Sequence, residues 1–90
     1  MSSVLDQLFK DACEIVTKSN KEVSNSVKLQ LYSLYKQASD GNVQGNRPGF
    51  FNQINRAKWD AWNKLKGTSK DTAMQKYIDL VEKRTTFFQH

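Results

Sequence analysis

Apolar residues in this chain recur at three- and four-residue spacing in four separate segments, and no segment alternates with period two. That pattern predicts amphipathic helices and argues against strands. The first segment uses Val4, Leu5, Leu8, Phe9, Ala12, Ile15 and Val16, followed by a polar connector over 17–25. The second runs from about Ser26 to Ser39 on Val27, Leu31, Leu34 and Ala38, with Gly41 placed to cap it in a left-handed conformation. The third runs from about Gln53 to Lys66 on Ile54, Ala57, Ala61 and Leu65, and Gly67 ends it. Thr68 or Ser69 can cap the fourth, with Asp71 three residues after Thr68 completing a capping box. Its stripe is Ala73, Met74, Tyr77, Ile78, Val81 and Phe88, and Thr85–His90 reads as a fraying end.

Asp40–Asn52 holds three of the four glycines and the only proline. This is long for a helix–helix connection, where 2–8 residues is usual. A crossover of that length lets helices 2 and 3 lie parallel, which a short turn cannot do. Ninety residues suffice for one small domain with a single core, here residues 1–90. The expected fold class is therefore all-α: a four-helix bundle with a long crossover between helices 2 and 3.

No apolar run approaches the roughly 20 residues needed to span a bilayer, and Met1 to Lys10 lacks the apolar core of a secretory signal. Cys13 is the only cysteine, so an internal disulfide is excluded and a reducing, cytoplasmic location is expected. The net charge of +5 sits wholly in residues 28–66, where seven bases face two acids; elsewhere seven bases and seven acids cancel. A field focused this way favours an anionic partner: phosphates, nucleic acid or an acidic membrane.

Placed at 100° steps, Val27, Leu31, Leu34 and Ala38 cluster within about 60° and define the core side of helix 2. Tyr32 lies about 130° from the centre of that cluster, Leu29 and Lys36 about 170°, and Tyr35 about 70°. A tyrosine, a lysine and a leucine thus share a face expected to see solvent. An exposed leucine alone is ordinary. Leu29, Tyr32, Tyr35, Lys28 and Lys36 together combine ring surface, hydroxyl donors and mobile point charges, a mixture suited to a nucleotide beside something apolar. Lys58 stands on an apolar stripe with Ala61, Trp62 and Leu65, where it must snorkel, meet a counter-charge or reach a groove lip. Tyr77 lies in the apolar stripe of its helix and reads as a core tyrosine, and Trp59 and Trp62 read as packing residues.

Nucleic-acid binding is the rival from another class, since basic charge with interleaved aromatics is its footprint. The dispersed bases and the lack of a recognition-helix motif argue against it. For an enzyme, His90 is the lone histidine and lies at the extreme C-terminus, Cys13 has no evident base partner, and no metal-ligand spacing exists. No catalytic or metal-ligating residue is assigned.

Four motifs run in register: Y-x-x-Y-K-Q-A at Tyr32–Ala38, R-P-G at Arg47–Gly49, A-K-W-D-A-W-N-x-L-K-G-T-S-K at Ala57–Lys70, and A-M-x-x-Y-I-x-x-V at Ala73–Val81. In these the chain resembles the acyl-CoA-binding protein (diazepam-binding inhibitor) family over nearly its whole length. The resemblance implies a bundle with helices 2 and 3 parallel and other neighbours antiparallel. It also implies a non-catalytic, cytoplasmic carrier of long-chain acyl-CoA esters that needs no cofactor. It implies that Tyr35 and Lys36 hold the adenine and phosphate end, that Tyr32 lines the site, that Lys58 meets the 3′-phosphate and that Tyr77 closes the site. The expected partners are the acyl-CoA ligand and, transiently, acyl-CoA-using enzymes and membrane surfaces, with no nucleic acid, and the expected state is a monomer. Two positions depart from the family pattern. Thr17 stands where a phosphate-contacting lysine is common. Lys28 and Leu29 stand where helix 2 often opens with two apolar residues along the acyl groove, so Lys28 either replaces the missing charge or shortens the apolar track.

Overall fold

The computed structural model of the chain describes the backbone of residues 3–19 and 23–88. Four helices make it up: α1 (Ser3–Lys18), α2 (Asn25–Asp40), α3 (Gln53–Asn63) and α4 (Lys70–Phe88). No strand occurs among the described residues, and none of their helices is long and apolar enough to cross a membrane. The all-α expectation holds.

Side-chain chemistry explains the helix ends. Ser24 starts α2 because its hydroxyl accepts the Val27 N–H at 3.2 Å, satisfying one of the donors a helix start leaves open. The helix therefore begins earlier than the expected Ser26. Gly41 stops α2: its N–H returns to the Gln37 carbonyl at 3.1 Å while its backbone takes φ 83° and ψ −149°, a region glycine alone enters cheaply. For α4 the structure selects Ser69, whose Oγ accepts the Thr72 N–H at 3.1 Å. The capping box of Thr68 with Asp71 does not form, because the helix starts one residue later and the third helical position falls on Thr72. Regular α3 stops at Asn63, short of the expected Lys66. Beyond it Leu65 bonds back to Trp62 and Lys66 to Asn63, the tighter three-residue spacing with which helices often finish. The backbone of α4 stays helical to Phe88, while the side chains from Thr85 onward, Phe88 included, lie outside the described residues.

The core is formed by Phe9 and Ala12 of α1, Leu34 and Ala38 of α2, and Ala73, Tyr77, Ile78 and Val81 of α4. Full burial of a side chain such as Ile78 or Val81 contributes roughly 1.5–3 kcal/mol. On α1 the inward stripe is narrower than the sequence suggested. Leu5, Phe9, Ala12 and Val16 face the core, but Val4, Leu8 and Ile15 are exposed. Helix α4 packs against both α1 and α2, whereas among the described residues α3 packs on α2 alone and buries no residue fully. Ile54, expected in the α3 stripe, is 73% exposed for that reason. The molecule is a slab 17 Å thick, room for no more than two stacked helices, so each helix keeps one face open.

Candidate functional site

Helix α2 has two packed faces. One is the core side already described. The other carries Tyr32 and Lys36, and α3 lies along it. These side chains are half-buried at the α2–α3 seam instead of facing solvent. The wheel reading missed this because α3 adds only one short helix to a face that α1 and α4 do not reach.

The seam is built from pairs in the same order along both helices. The Lys58 ammonium lies 5.4 Å from the centroid of the Tyr32 ring, and the Lys36 ammonium lies 5.0 Å from the Trp62 ring. A step of four residues on α2 thus matches a step of four on α3, so the two helices are parallel. Both lysines sit over ring faces, where the quadrupole favours a cation. Lys36 also bonds Asp40 one turn on at 2.6 Å, and that hydrogen bond raises its pKa above the ordinary lysine value, with Asp40's charge adding to it. It stays charged at any physiological pH. Among the described residues the half-buried Lys58 meets an aromatic face, with no carboxylate ion pair.

Tyr35 faces the other way around α2 and is 45% exposed. Its ring stacks on Phe9 with centroids 6.1 Å apart. Phe9 in turn meets Tyr77 edge-to-face at 5.1 Å. Tyr77 itself is only 4% exposed, as its place in the stripe suggested. Burial pushes its phenol pKa up strongly, and its hydrogen bond to the Cys13 thiol adds to the shift. Tyr35 also borders an open depression of about 470 Å³ between α1 and α2, whose charged lining is Lys10, Asp6 and Glu14. Lys28 is exposed and Leu29 half-buried at the start of α2, one turn before Tyr32. The structure thus joins Tyr32 with Lys58 directly, sets Lys36 on the same seam, and links the Tyr35 ring to the Tyr77 ring through Phe9. Thr17 offers no cation, and its hydroxyl donates to the Cys13 carbonyl at 2.9 Å.

Behind the seam lies a network the sequence reading did not single out. Gln37 is fully buried. Its Nε2 donates to the Thr68 carbonyl at 2.7 Å and to Asn42 Oδ1 at 2.9 Å. Its Oε1 accepts the Trp62 indole N–H at 3.1 Å, which also reaches the Gly41 carbonyl at 2.8 Å. Asn42 Oδ1 accepts the Gly67 N–H as well, at 2.8 Å. One glutamine thereby ties the end of α2 to the end of α3 and the start of α4, and the juxtaposed ends make α2 and α4 antiparallel. The available signal was weak: Gln37 lies at the flank of the α2 core stripe, about 90° from its centre. Arg47 of the R-P-G motif makes a two-pronged bond to Asp60 at 2.8 and 2.7 Å, fastening the long crossover to α3 and holding the Asp60 carboxyl below its usual range. The indole N–H of Trp59, beside Lys58, is shielded from water and has no partner among the described residues. No group of three or more metal-ligating side chains comes together among them.

The described helices place two lysines over aromatic rings on one seam, backed by a buried polar network around Gln37, in an all-helical class of fold. Comparison with known proteins gives that class its family. The family described as "Acyl CoA binding protein" matches residues 6–81, and the chain belongs to it. A crystal structure of Oryza sativa Acyl-CoA-Binding Protein 2 superposes with a TM-score of 0.90 at 41% identity, covering 94% of each chain. Acyl-CoA-binding protein homolog 3 of Caenorhabditis elegans is 47% identical over 82% of this chain and 67% of its own length. Enoyl-CoA delta isomerase 2 of Rattus norvegicus is 49% identical over 83% of this chain but only 19% of its own length. The chain therefore spans about a fifth of that relative.

Proposed function

We propose that the chain binds long-chain acyl-CoA esters one to one and carries and buffers them without changing them chemically. The observation that carries this reading is the convergence of Lys36 and Lys58 with Tyr32 at the α2–α3 seam in a fold of this family. In this reading Lys36 and Tyr35 hold the phosphate and adenine end, Lys58 takes the 3′-phosphate, and Tyr32 lines the site between them. The acyl chain lies along Leu29 and Tyr32, with Lys28 at its mouth. Tyr77, buried behind Phe9, closes the site from below by holding Phe9 against Tyr35. No cofactor is required.

Burying a chain of about 16 carbons yields up to roughly 12 kcal/mol at ~0.8 per methylene, and the costs of association and chain ordering offset much of it. The tail supplies affinity, and the charge-assisted bonds to phosphate supply orientation and selectivity. The protein acts as a cytoplasmic monomer that meets acyl-CoA-using enzymes and membrane surfaces transiently and has no nucleic-acid partner. Isothermal titration calorimetry with palmitoyl-CoA, CoA and palmitate tests the reading. Tight 1:1 binding is expected for palmitoyl-CoA alone. Comparable binding of all three, or none of palmitoyl-CoA by folded protein, overturns it.

A further inference from the structure

The crossover between α2 and α3 ends in a tight turn in which the Asn52 N–H returns to the Gly49 carbonyl at 2.9 Å. Phe50 and Phe51 occupy its two central positions. Phe51 is 97% exposed, Phe50 69%, and Ile54, in the first turn of α3, 73%. The two rings meet edge-to-face at 5.6 Å, so they form one projecting tip. Single exposed apolar residues call for no explanation, but three together on a turn and the helix start behind it do. The charge around the tip is one-sided. Residues 41–59 contain no aspartate or glutamate and hold Arg47, Arg56 and Lys58. Asp60 pairs with Arg47, and the cation set against the tip is Arg56. Arg56 lies 5.7 Å from the centroid of the Phe50 ring, directly behind it.

We infer that this tip is a docking element for an anionic phospholipid bilayer: Phe50, Phe51 and Ile54 enter the interface while Arg56 behind them meets lipid phosphates. Aromatic side chains settle at the headgroup level of bilayers, and a basic collar adds attraction to acidic lipids. A second copy of the chain fits less well. Three side chains of at most about 150–250 Å² each, already partly covered, fall short of the ~800 Å² per partner that a stable interface buries. The inference deepens the carrier reading and rests on it for its purpose, since the tip leads directly into α3, which carries Lys58 of the proposed ligand site. A molecule docked by this tip holds that site close to the membrane from which a lipid-tailed ligand is drawn.

The test is co-sedimentation of the full chain with vesicles of phosphatidylcholine, with and without phosphatidylserine, at low and high salt. Binding is expected on the anionic vesicles at low salt and at least about tenfold weaker on neutral ones. Phe50→Ser with Phe51→Ser should weaken it about tenfold or more, and Arg56→Gln should weaken it on anionic vesicles alone. Calorimetry of the double variant with palmitoyl-CoA, without vesicles, should match the wild type. Three results overturn the inference: no sedimentation of wild type with anionic vesicles, equal sedimentation of the double variant, or a wild-type dimer that dissociates in the double variant. Failure of wild type to bind palmitoyl-CoA without vesicles overturns the carrier reading instead, whatever the vesicles report.

Discussion

Lys58 of α3 holds its ammonium 5.4 Å from the centre of the Tyr32 ring of α2. A cation and an aromatic that belong to different helices thus depend on each other for placement. Removing the Tyr32 hydroxyl leaves the ring face intact, whereas removing the ring frees Lys58 to drift. Tyr32→Phe should therefore weaken palmitoyl-CoA binding less than about threefold and Tyr32→Ala more than about tenfold. Titration calorimetry distinguishes the two, and equal losses would assign the effect to the hydroxyl.

Lys36 offers a sharper contrast, because Asp40 already occupies it. Lys36→Ala should weaken palmitoyl-CoA binding more than about tenfold with the fold retained by circular dichroism. Asp40→Asn removes the competitor for the same ammonium and should tighten binding by about twofold to fivefold. An unchanged dissociation constant in Lys36→Ala removes that residue from the site.

Gln37 should matter for stability far more than its polarity suggests. Gln37→Ala strips the Thr68 carbonyl and Asn42 of a buried donor and leaves a cavity where α2, α3 and α4 meet. A loss of about 2–4 kcal/mol is expected. At 4–8 °C per kcal/mol for a domain of this size, the melting temperature falls by about 10–30 °C. Calorimetric melting measures it.

Gly41→Ala isolates backbone strain from packing. A methyl there meets the Lys70 side chain at 3.6 Å, an ordinary contact, so space is not the obstacle. The cost comes from holding a non-glycine residue at φ 83° and ψ −149°, about 1–3 kcal/mol. Urea unfolding should show a lower midpoint with an unchanged slope.

Alkali should unfold the protein in two overlapping stages. Burial raises the folded-state pKa of the Cys13 thiol, an effect its bond from Tyr77 only partly offsets, and burial with the Cys13 contact raises that of Tyr77. A raised acid favours the folded chain while both states are protonated. That stability is complete below the ordinary pKa values of 9.0 and 10.0 and is lost as pH climbs through them, when only the unfolded chain ionises. The melting temperature should be level up to about pH 8 and fall beyond pH 9, and Cys13→Ala should blunt the first part of the fall. A flat profile to pH 11 contradicts the burial of both groups.

Much of the fold was legible because α2 and α4 carry stripes whose buried members are the expected ones, Leu34 and Ala38 on one and Ala73, Tyr77, Ile78 and Val81 on the other. The long crossover gave the parallel α2–α3 pair. What escaped was set by partners distant in sequence. Ile54 has the spacing of a core residue, but no second helix lies over α3 to cover it. Tyr32 and Lys36 were placed toward water because a helical wheel describes one helix at a time. Gln37 and Trp62 gain their roles only when the ends of α2, α3 and α4 meet, since Trp62 reaches across twenty-one residues to Gly41. For the candidate site, the residue types could be read from sequence, but their pairing of Lys58 with Tyr32 and Lys36 with Trp62 could not.

Because α3 leans on α2 alone and buries no residue fully, its protection from solvent exchange is tied to that single seam. Occupation of that seam by a ligand would slow amide exchange in α3 and at its Gln37 anchor first, leaving α1 nearly unchanged. Loading would then be visible as the stiffening of one loosely moored helix, with no rearrangement of the other three.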